Sequence, residues 1–328
     1  MRIALAGLGS AATRGHLPAL AALQTEGHIV VVCGADPSVD RRRSVALQYP
    51  SILLFPNAET MLDACAVDLF VVASKPESHA SLMLLAARRG LHTLCEKPLT
   101  VTGADHWRID RVFRSTATAL VLVQQYKYAP MWCRVAGYAR VAAQLRLPFL
   151  LTIEIDREGG DVHASSPWRE HLARSGGLLG DHVVHFIGLA RQIASDVEPL
   201  EAFRAGHDDR ETVSARLRVG SGTMALRASA ASSARRTEVQ FKVGPLILTW
   251  RDDAAVISAG KHLRRRLCTD AISSRDYVDS LYLPFYESVL IGLRDDAWRR
   301  ERLLEALDVD RVLVALIEMS FAHHEMRT

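Results

Sequence analysis

The chain lacks a disulfide framework, a membrane-spanning run and any strong charge of one sign. Its five cysteines (Cys33, Cys65, Cys95, Cys133 and Cys268) are scattered, odd in number and without C-x-x-C spacing. That argues against a disulfide-stapled scaffold and against a structural zinc site, and no metal is expected. Several of them stand in apolar, strand-like contexts, where free cysteine behaves as a small buried hydrophobe. No apolar stretch approaches the roughly 18–20 residues that cross a bilayer. The N-terminus has one arginine and a very short apolar run, unlike a signal peptide. The expectation is therefore a soluble, cytoplasmic protein with no membrane partner. With 40 basic and 37 acidic residues the formal charge is only +3. No long basic block with interleaved aromatics is present, which disfavours nucleic acid as a partner. Arg41–Arg43 and Arg264–Arg266 read as solvated surface. There is no internal repeat and no sustained low-complexity segment.

What is present is a large apolar content, 49% over 328 residues, more than one hydrophobic core usually serves, so two domains are expected. Residues 1–122 alternate apolar strands with helical segments, the pattern of a doubly wound parallel α/β sheet. Strands are expected at 2–6, 28–35, 52–55, 68–73, 92–95 and 119–124. Helices are expected at 11–25, from Asp36-Pro37 to about 48, at 58–65, 78–90 and 103–115. Residues 123–328 have a different rhythm: a helix near 131–144, a strand at 148–156, and a helix from 179 to 194. Strands then follow in succession at 211–219, 222–231, 236–243, 245–251 and 254–259. Their short turns suit antiparallel hairpins, so this half reads as an α+β domain with a mostly antiparallel sheet. Helices at 281–294 and 299–325 close the chain.

Chemistry-bearing residues appear at four places. Gly7-Leu8-Gly9-Ser10-Ala11-Ala12 follows the first strand and has the pattern G-x-G-x-x-A. Gly7 allows the tight turn, Gly9 leaves room for a pyrophosphate, and Ala12 lets the following helix pack on the strand. A helix N-terminus there presents N–H groups and a positive dipole end to phosphate. Asp36, at the end of the second strand, suits an adenosine ribose and leans towards NAD, with Arg41–Arg43 able to offset that bias towards NADP. The same aspartate before Pro37 suits a helix cap almost as well. Lys97 follows a strand at the C-terminal edge of the sheet, between Glu96 and Pro98, where it can hydrogen-bond a substrate oxygen; a surface lysine is the plainer alternative. Asp181 and His185 share a face of the helix after Gly176-Gly177, His185 as a base and Asp181 as an orienting carboxylate, or the two as a simple surface pair. His182 points about 100° away. Nothing in the spacing selects His163, His171 or His207.

Taken together these stretches resemble the Gfo/Idh/MocA oxidoreductases. The matching runs are Gly7–Ala12 with Arg14–Leu20, Ala35-Asp36-Pro37, Ala73–His79, Cys95–Leu99, Gln125–Pro130, and Ser175-Gly176-Gly177 leading to Asp181 and His185. The resemblance implies a Rossmann domain followed by an α/β domain whose sheet commonly forms a homo-oligomer interface, a dimer or a tetramer. It implies catalytic roles for Lys97, Asp181 and His185, and cofactor contacts from Gly7, Gly9, Ser10, Ala11, Ala12, Asp36, Arg41, Ser74, Pro76, His79, Glu96, Lys97 and Gln125. Substrate contacts would come from Lys97, Lys127, Trp168, Arg169, Asp181 and His185. The implied reaction is NAD(P)-dependent hydride transfer at a secondary alcohol or ketone of a sugar, cyclitol or related polyol, a small-molecule substrate. A redox-neutral lyase or hydrolase using retained NAD, and a non-catalytic dinucleotide-binding regulator, are the alternatives. Val183 stands where the family often has glycine, Lys127 where arginine is frequent, and Lys75 where a threonine or asparagine turn is usual. These departures bear on the substrate pocket more than on the reaction type.

Overall fold

The computed structural model describes residues 1–25, 27, 29–158, 175–206, 210–251, 254–259, 263–267 and 278–325. Contacts divide the chain into two units, Met1–Tyr128 with Ser273–Asp308, and Ala129–Ile272 with Val309–Thr328.

In the first unit six strands form one parallel sheet: β1 (Arg2–Ala6), β2 (Val30–Ala35), β3 (Leu53–Phe55), β4 (Leu69–Val72), β5 (His92–Cys95) and β6 (Leu120–Leu122). Their order is β3-β2-β1-β4-β5-β6, with every pair parallel. The run Leu69-Phe70-Val71-Val72 is wholly buried, as a strand covered by helices on both faces requires. Helices α1 (Leu17–Gln24), α2 (Val39–Gln48), α3 (Ala58–Ala64), α4 (His79–Arg88) and α5 (Gly103–Arg114) connect the strands. Ser38, Asn57 and Thr102 cap α2, α3 and α5 by accepting the N–H of Arg41, Thr60 and Asp105, which places the helix starts that their sequences signal. The order in which strands are added reverses about β1: β2 and β3 lie to one side and β4 to β6 to the other. Such a switch point leaves a crevice at the carboxyl ends of the strands.

The expected single helix over 11–25 differs in detail, because Ala12–His16 forms a π turn before α1 begins. Its Gly15 meets the ring of Tyr282, where an added Cβ would fall 2.5 Å from the ring's Cζ. Tyr282 itself ends a second π turn, Val278–Tyr282, ahead of the helix Leu283–Gly292.

The second unit holds an eight-stranded sheet in the order β14-β13-β12-β11-β7-β10-β9-β8. Its strands are β7 (Phe149–Glu158), β8 (Val197–Ala205), β9 (Thr212–Val219), β10 (Gly222–Ser232), β11 (Arg236–Val243), β12 (Leu246–Arg251), β13 (Ala254–Ala259) and β14 (Leu263–Leu267). The hairpins expected from the short turns are antiparallel, whereas β7 and β10 pair in parallel. Two strands were not foreseen, β8 and β14. Pro199 and the charged alternation of β8 obscure it, and β8 is an edge strand, where proline is tolerated. Helices Pro130–Gln144 and Val184–Ile193 meet through Trp132 and Phe186, whose rings lie edge to face at 4.9 Å. The last helix runs Asp296–Glu325, three residues earlier than expected. Among the described residues no helix is long and apolar enough to cross a membrane.

Candidate active site

The turn after β1 shows why its two glycines are not interchangeable. Gly7 has φ +92°, and a Cβ there would fall 2.5 Å from the backbone of Ala73 and Ser74, just beyond β4. Only glycine lets β1 and β4 approach so closely with that backbone conformation. Around Gly9 the space is open, its nearest neighbour being Nη1 of Arg41 at 4.0 Å. This cradle at the switch point, leading into the helical residues from Ser10 onward, fits the diphosphate of a dinucleotide. Ala12 is fully buried, as helix packing on β1 requires.

Asp36 sits at the end of β2 with 2% exposure. Its carboxylate accepts the Leu8 N–H at 2.9 Å and the Ser38 N–H at 2.8 Å, and Arg41 Nη1 lies 3.4 Å away. It therefore braces the glycine turn and Ser38, the residue that caps α2, and is not itself the helix cap that its position before Pro37 allowed, while also standing beside the cradle. Arg42 donates to the carbonyls of Asp36 and Pro37. Arg41, half exposed, is the cation that borders both Gly9 and Asp36.

The loop after β5 carries Lys97, which is half-buried. His79 is fully buried and its ring spans the loops after β4 and β5, with Nδ1 2.8 Å from the Pro98 carbonyl and Nε2 3.1 Å from the Ser74 carbonyl. The Ser74 hydroxyl bonds that of Ser78 at 2.7 Å, and Pro76 opens the short turn between them. Glu96 faces inward at 5% exposure. Its Oε1 lies 3.1 Å from His16 Nε2 and accepts the Tyr282 hydroxyl at 3.0 Å, and its Oε2 accepts the Lys97 N–H at 3.1 Å. His16 Nδ1 lies 2.6 Å from the Tyr286 hydroxyl. Burial alone would raise the Glu96 carboxyl. The His16 hydrogen bond and charge, then the charge of Lys97 and the Tyr282 hydroxyl, lower it to about 2. Burial first, then the Glu96 charge, raises the Tyr286 hydroxyl. Gln125 is buried and donates to the Tyr282 hydroxyl at 3.4 Å. The Glu96 and Gln125 side chains, expected from the resemblance to touch cofactor, are thus engaged in the interior of the first unit. Lys127, expected to touch substrate, pairs with Glu305 and is nearly buried.

In the second unit Gly176 and Gly177 have φ +73° and +59°. A Cβ on Gly177 would fall 2.6 Å from Glu211 Oε1 and 2.7 Å from Arg204 Nη1. Those two side chains form a buried ion pair, and Glu211 Oε2 also accepts the Leu178 N–H at 2.8 Å. Burial raises the Glu211 carboxyl despite Arg204, and the charge of Asp181 adds to the rise. Burial lowers the Arg204 guanidinium against the pull of Glu211.

Asp181 does not lie in an α-helix, as its spacing to His185 suggested. Leu179–Val183 is a π turn, and α-helical geometry starts at Val184. With i→i+5 bonding, the residue facing Asp181 moves beyond the i+4 position. The Asp181 carboxylate lies 3.5 Å from His182 Nε2. Nη2 of Arg157 stands 3.3 Å from His182 Nδ1. Arginine can only donate, so Nδ1 accepts and the Nε2–H faces Asp181. His185 is buried. His182, discounted from sequence, together with Arg157, supports Asp181. Neither residue carried a signal in the sequence, because their contact joins a strand residue to one 25 positions along the chain. Trp168 and Arg169, with Arg174, His163, His171, His207 and Cys268, lie outside the described residues. Among the described residues no three His, Cys, Asp or Glu side chains could hold a metal ion.

Residues 1–124 match the model of an oxidoreductase family with an NAD-binding Rossmann fold, Gfo/Idh/MocA. Over 190 residues the chain is 28% identical to the D-apiose dehydrogenase of Paraburkholderia graminis, covering 58% of this chain and 49% of that one. The chain spans about half or less of the length of the curated relatives it matches first. Among solved structures it is similar to a dehydrogenase from Chromobacterium violaceum, with TM-score 0.79 and 18% identity over 100% of this chain and 97% of that one. It is also similar to a levoglucosan dehydrogenase in complex with NADH and levoglucosan, with TM-score 0.75 and 16% identity over 98% and 97%. At these identities the structures establish a shared fold.

Proposed function

We propose, from the match of residues 1–124 to the Gfo/Idh/MocA oxidoreductases, that the chain is an NAD(P)-dependent dehydrogenase or reductase. It acts at a CH–OH group of a sugar, cyclitol or related polyol. The observation that carries the reading is the turn of the first unit: Gly7 jammed against Ala73 and Ser74, beside open space at Gly9. A purely structural turn needs the first of these and has no use for the second. Gly7, Gly9, Ser10, Ala11 and Ala12 would hold the diphosphate, with Asp36 and Arg41 nearest the adenosine end and Ser74, Pro76 and His79 shaping the adjoining wall. The sugar preference is supported by the D-apiose dehydrogenase among its relatives.

When bound, a nicotinamide supplies a hydride acceptor in one direction and a donor in the other. The chain's residues handle the proton and the oxygen. In the oxidative direction His185 takes the hydroxyl proton, an imidazole being suited to that transfer near neutral pH. Lys97 donates a hydrogen bond to a substrate oxygen and favours its deprotonated form. Asp181, aligned by His182 and Arg157, orients the substrate hydroxyls. Assembly as a homo-oligomer through the second sheet belongs to the same proposal, as does residence in the cytoplasm. Size-exclusion chromatography with light scattering reports the assembly.

The test is a panel of polyols and oxidised sugars assayed by cofactor absorbance, with NAD and NADP separately. Turnover with at least one polyol is expected, and Lys97→Met and His185→Gln should each lower kcat by roughly 10²- to 10⁴-fold. A wild-type protein that reduces neither coenzyme with any member of the panel, or variants that match it, would overturn the reading.

A further inference from the structure

We propose that His16, Tyr282 and Tyr286 are positioning residues for Lys97, acting through the Glu96 carboxylate. The inference deepens the proposed function, since it rests on reading Lys97 as a group that touches substrate. The Lys97 backbone hangs between two fixed points: its N–H is held by Glu96 Oε2 at 3.1 Å, and the Pro98 carbonyl faces His79 Nδ1 at 2.8 Å. The first of these points is only as rigid as the Glu96 side chain. That side chain is held in turn by His16 Nε2 at 3.1 Å and the Tyr282 hydroxyl at 3.0 Å, with Tyr286 on the far nitrogen of His16 at 2.6 Å.

Glu96 and the three side chains that support it are buried, His16 and Tyr286 completely. Hydrogen bonds to an ionised carboxylate are strong in such surroundings. The same low dielectric makes the arrangement costly if it serves packing alone, because apolar side chains of equal volume would fill the space without desolvating a charge. The two tyrosines are one turn apart, and they reach Glu96 and His16 from 186 and 270 residues along the chain. Gly15 has no side chain where the Tyr282 ring lies. A segment far downstream in sequence therefore completes the support of a loop on the Rossmann sheet, and it does so through polar atoms aimed at one carboxylate next to Lys97.

The experiment compares Tyr286→Phe, Tyr282→Phe, His16→Leu and His16→Gln with wild type, on full-length protein. Gln can donate to Glu96 and accept from Tyr286; Leu can do neither. Two readouts are taken: trace acetylation of the Lys97 amine relative to the exposed Lys75 and Lys242 in the same molecule, and steady-state kinetics with NAD(P). His16→Leu and Tyr286→Phe are expected to change relative Lys97 labelling severalfold and to lower kcat by roughly 10- to 10²-fold, with KM for the coenzyme within about twofold. His16→Gln should recover most of both. Folded variants whose Lys97 labelling and kcat equal wild type, with only the melting temperature lowered, would overturn the proposal and leave a packing role. The labelling arm decides even if the wild-type protein reduces neither coenzyme. In that case the proposed function fails, and the positioning proposal stands or falls on Lys97 reactivity alone.

Discussion

The loop bearing Lys97 in the first unit and the segment bearing Asp181 in the second are each braced by a buried carboxylate, yet the two carboxylates live under opposite electrostatic conditions. Glu96 has hydrogen bonds from a histidine, a tyrosine and a backbone N–H, with Lys97 nearby, and its carboxyl is lowered to about 2. Glu211 depends on one equally buried arginine and one N–H, and burial outweighs both so that its carboxyl is raised. Asp181 adds repulsion at Glu211. Several directed donors can hold a buried charge comfortably. A single buried ion pair beside another carboxylate holds it under stress.

The comparison breaks most sharply at the ion pair. Arg204→Met or Glu211→Ala alone leaves an unpaired buried charge and should cost about 3–5 kcal/mol. The double variant Arg204→Met with Glu211→Gln keeps an acceptor for the Leu178 N–H and removes both charges, so it should be close to wild type in stability. Urea unfolding followed by circular dichroism measures all three. If the single variants unfold at the wild-type urea midpoint, the pair does not brace the Gly176-Gly177 turn.

Acid titration sharpens the contrast, because the two carboxylates enter with opposite sign. Glu96 titrates lower in the folded chain than its ordinary 4.5, so its stabilisation is complete above that value and is lost as pH falls towards about 2. The displacement corresponds to roughly 3 kcal/mol. Glu211 titrates higher when folded, so it is most favourable in acid and becomes a penalty as pH rises through 4.5 and then its folded value. Glu96→Gln should therefore flatten the loss of stability between pH 4.5 and 2. A variant that loses stability in that window as steeply as wild type would show that Glu96 is not the group responsible.

The sheet of the first unit was legible in the sequence because parallel strands buried on both faces are short apolar runs set between capped helices, as Leu69–Val72 and the Ser38, Asn57 and Thr102 caps show. The glycine turn and Lys97 were legible as local patterns. The supports were not. His16 and Tyr286 are 270 residues apart, and nothing local in either stretch announces the other. Both the Ala12–His16 and Leu179–Val183 segments read as ordinary helix, since a π turn keeps the same residue types and shifts only the register. That shift changes the expected relation of Asp181 to His185. The β8 edge strand was hidden by Pro199, and the parallel β7/β10 pair by the hairpin turns around it.

A smaller effect tests a different carboxylate, Asp36, which resembles Glu96 in being buried and held by directed donors. Because its oxygens already brace Leu8 and Ser38, its loss should loosen the glycine turn itself. Asp36→Asn is then expected to weaken NAD and NADP alike. Arg41 stands half exposed between Asp36 and the open space at Gly9, where a guanidinium suits a 2′-phosphate. Arg41→Ala should weaken NADP by about tenfold, near 1.4 kcal/mol, and leave NAD almost unchanged. Calorimetric titration of both coenzymes against both variants separates the two roles. If Asp36→Asn loses NAD affinity and gains NADP affinity, the carboxylate reads the ribose directly, and its likeness to Glu96 as a brace is mistaken.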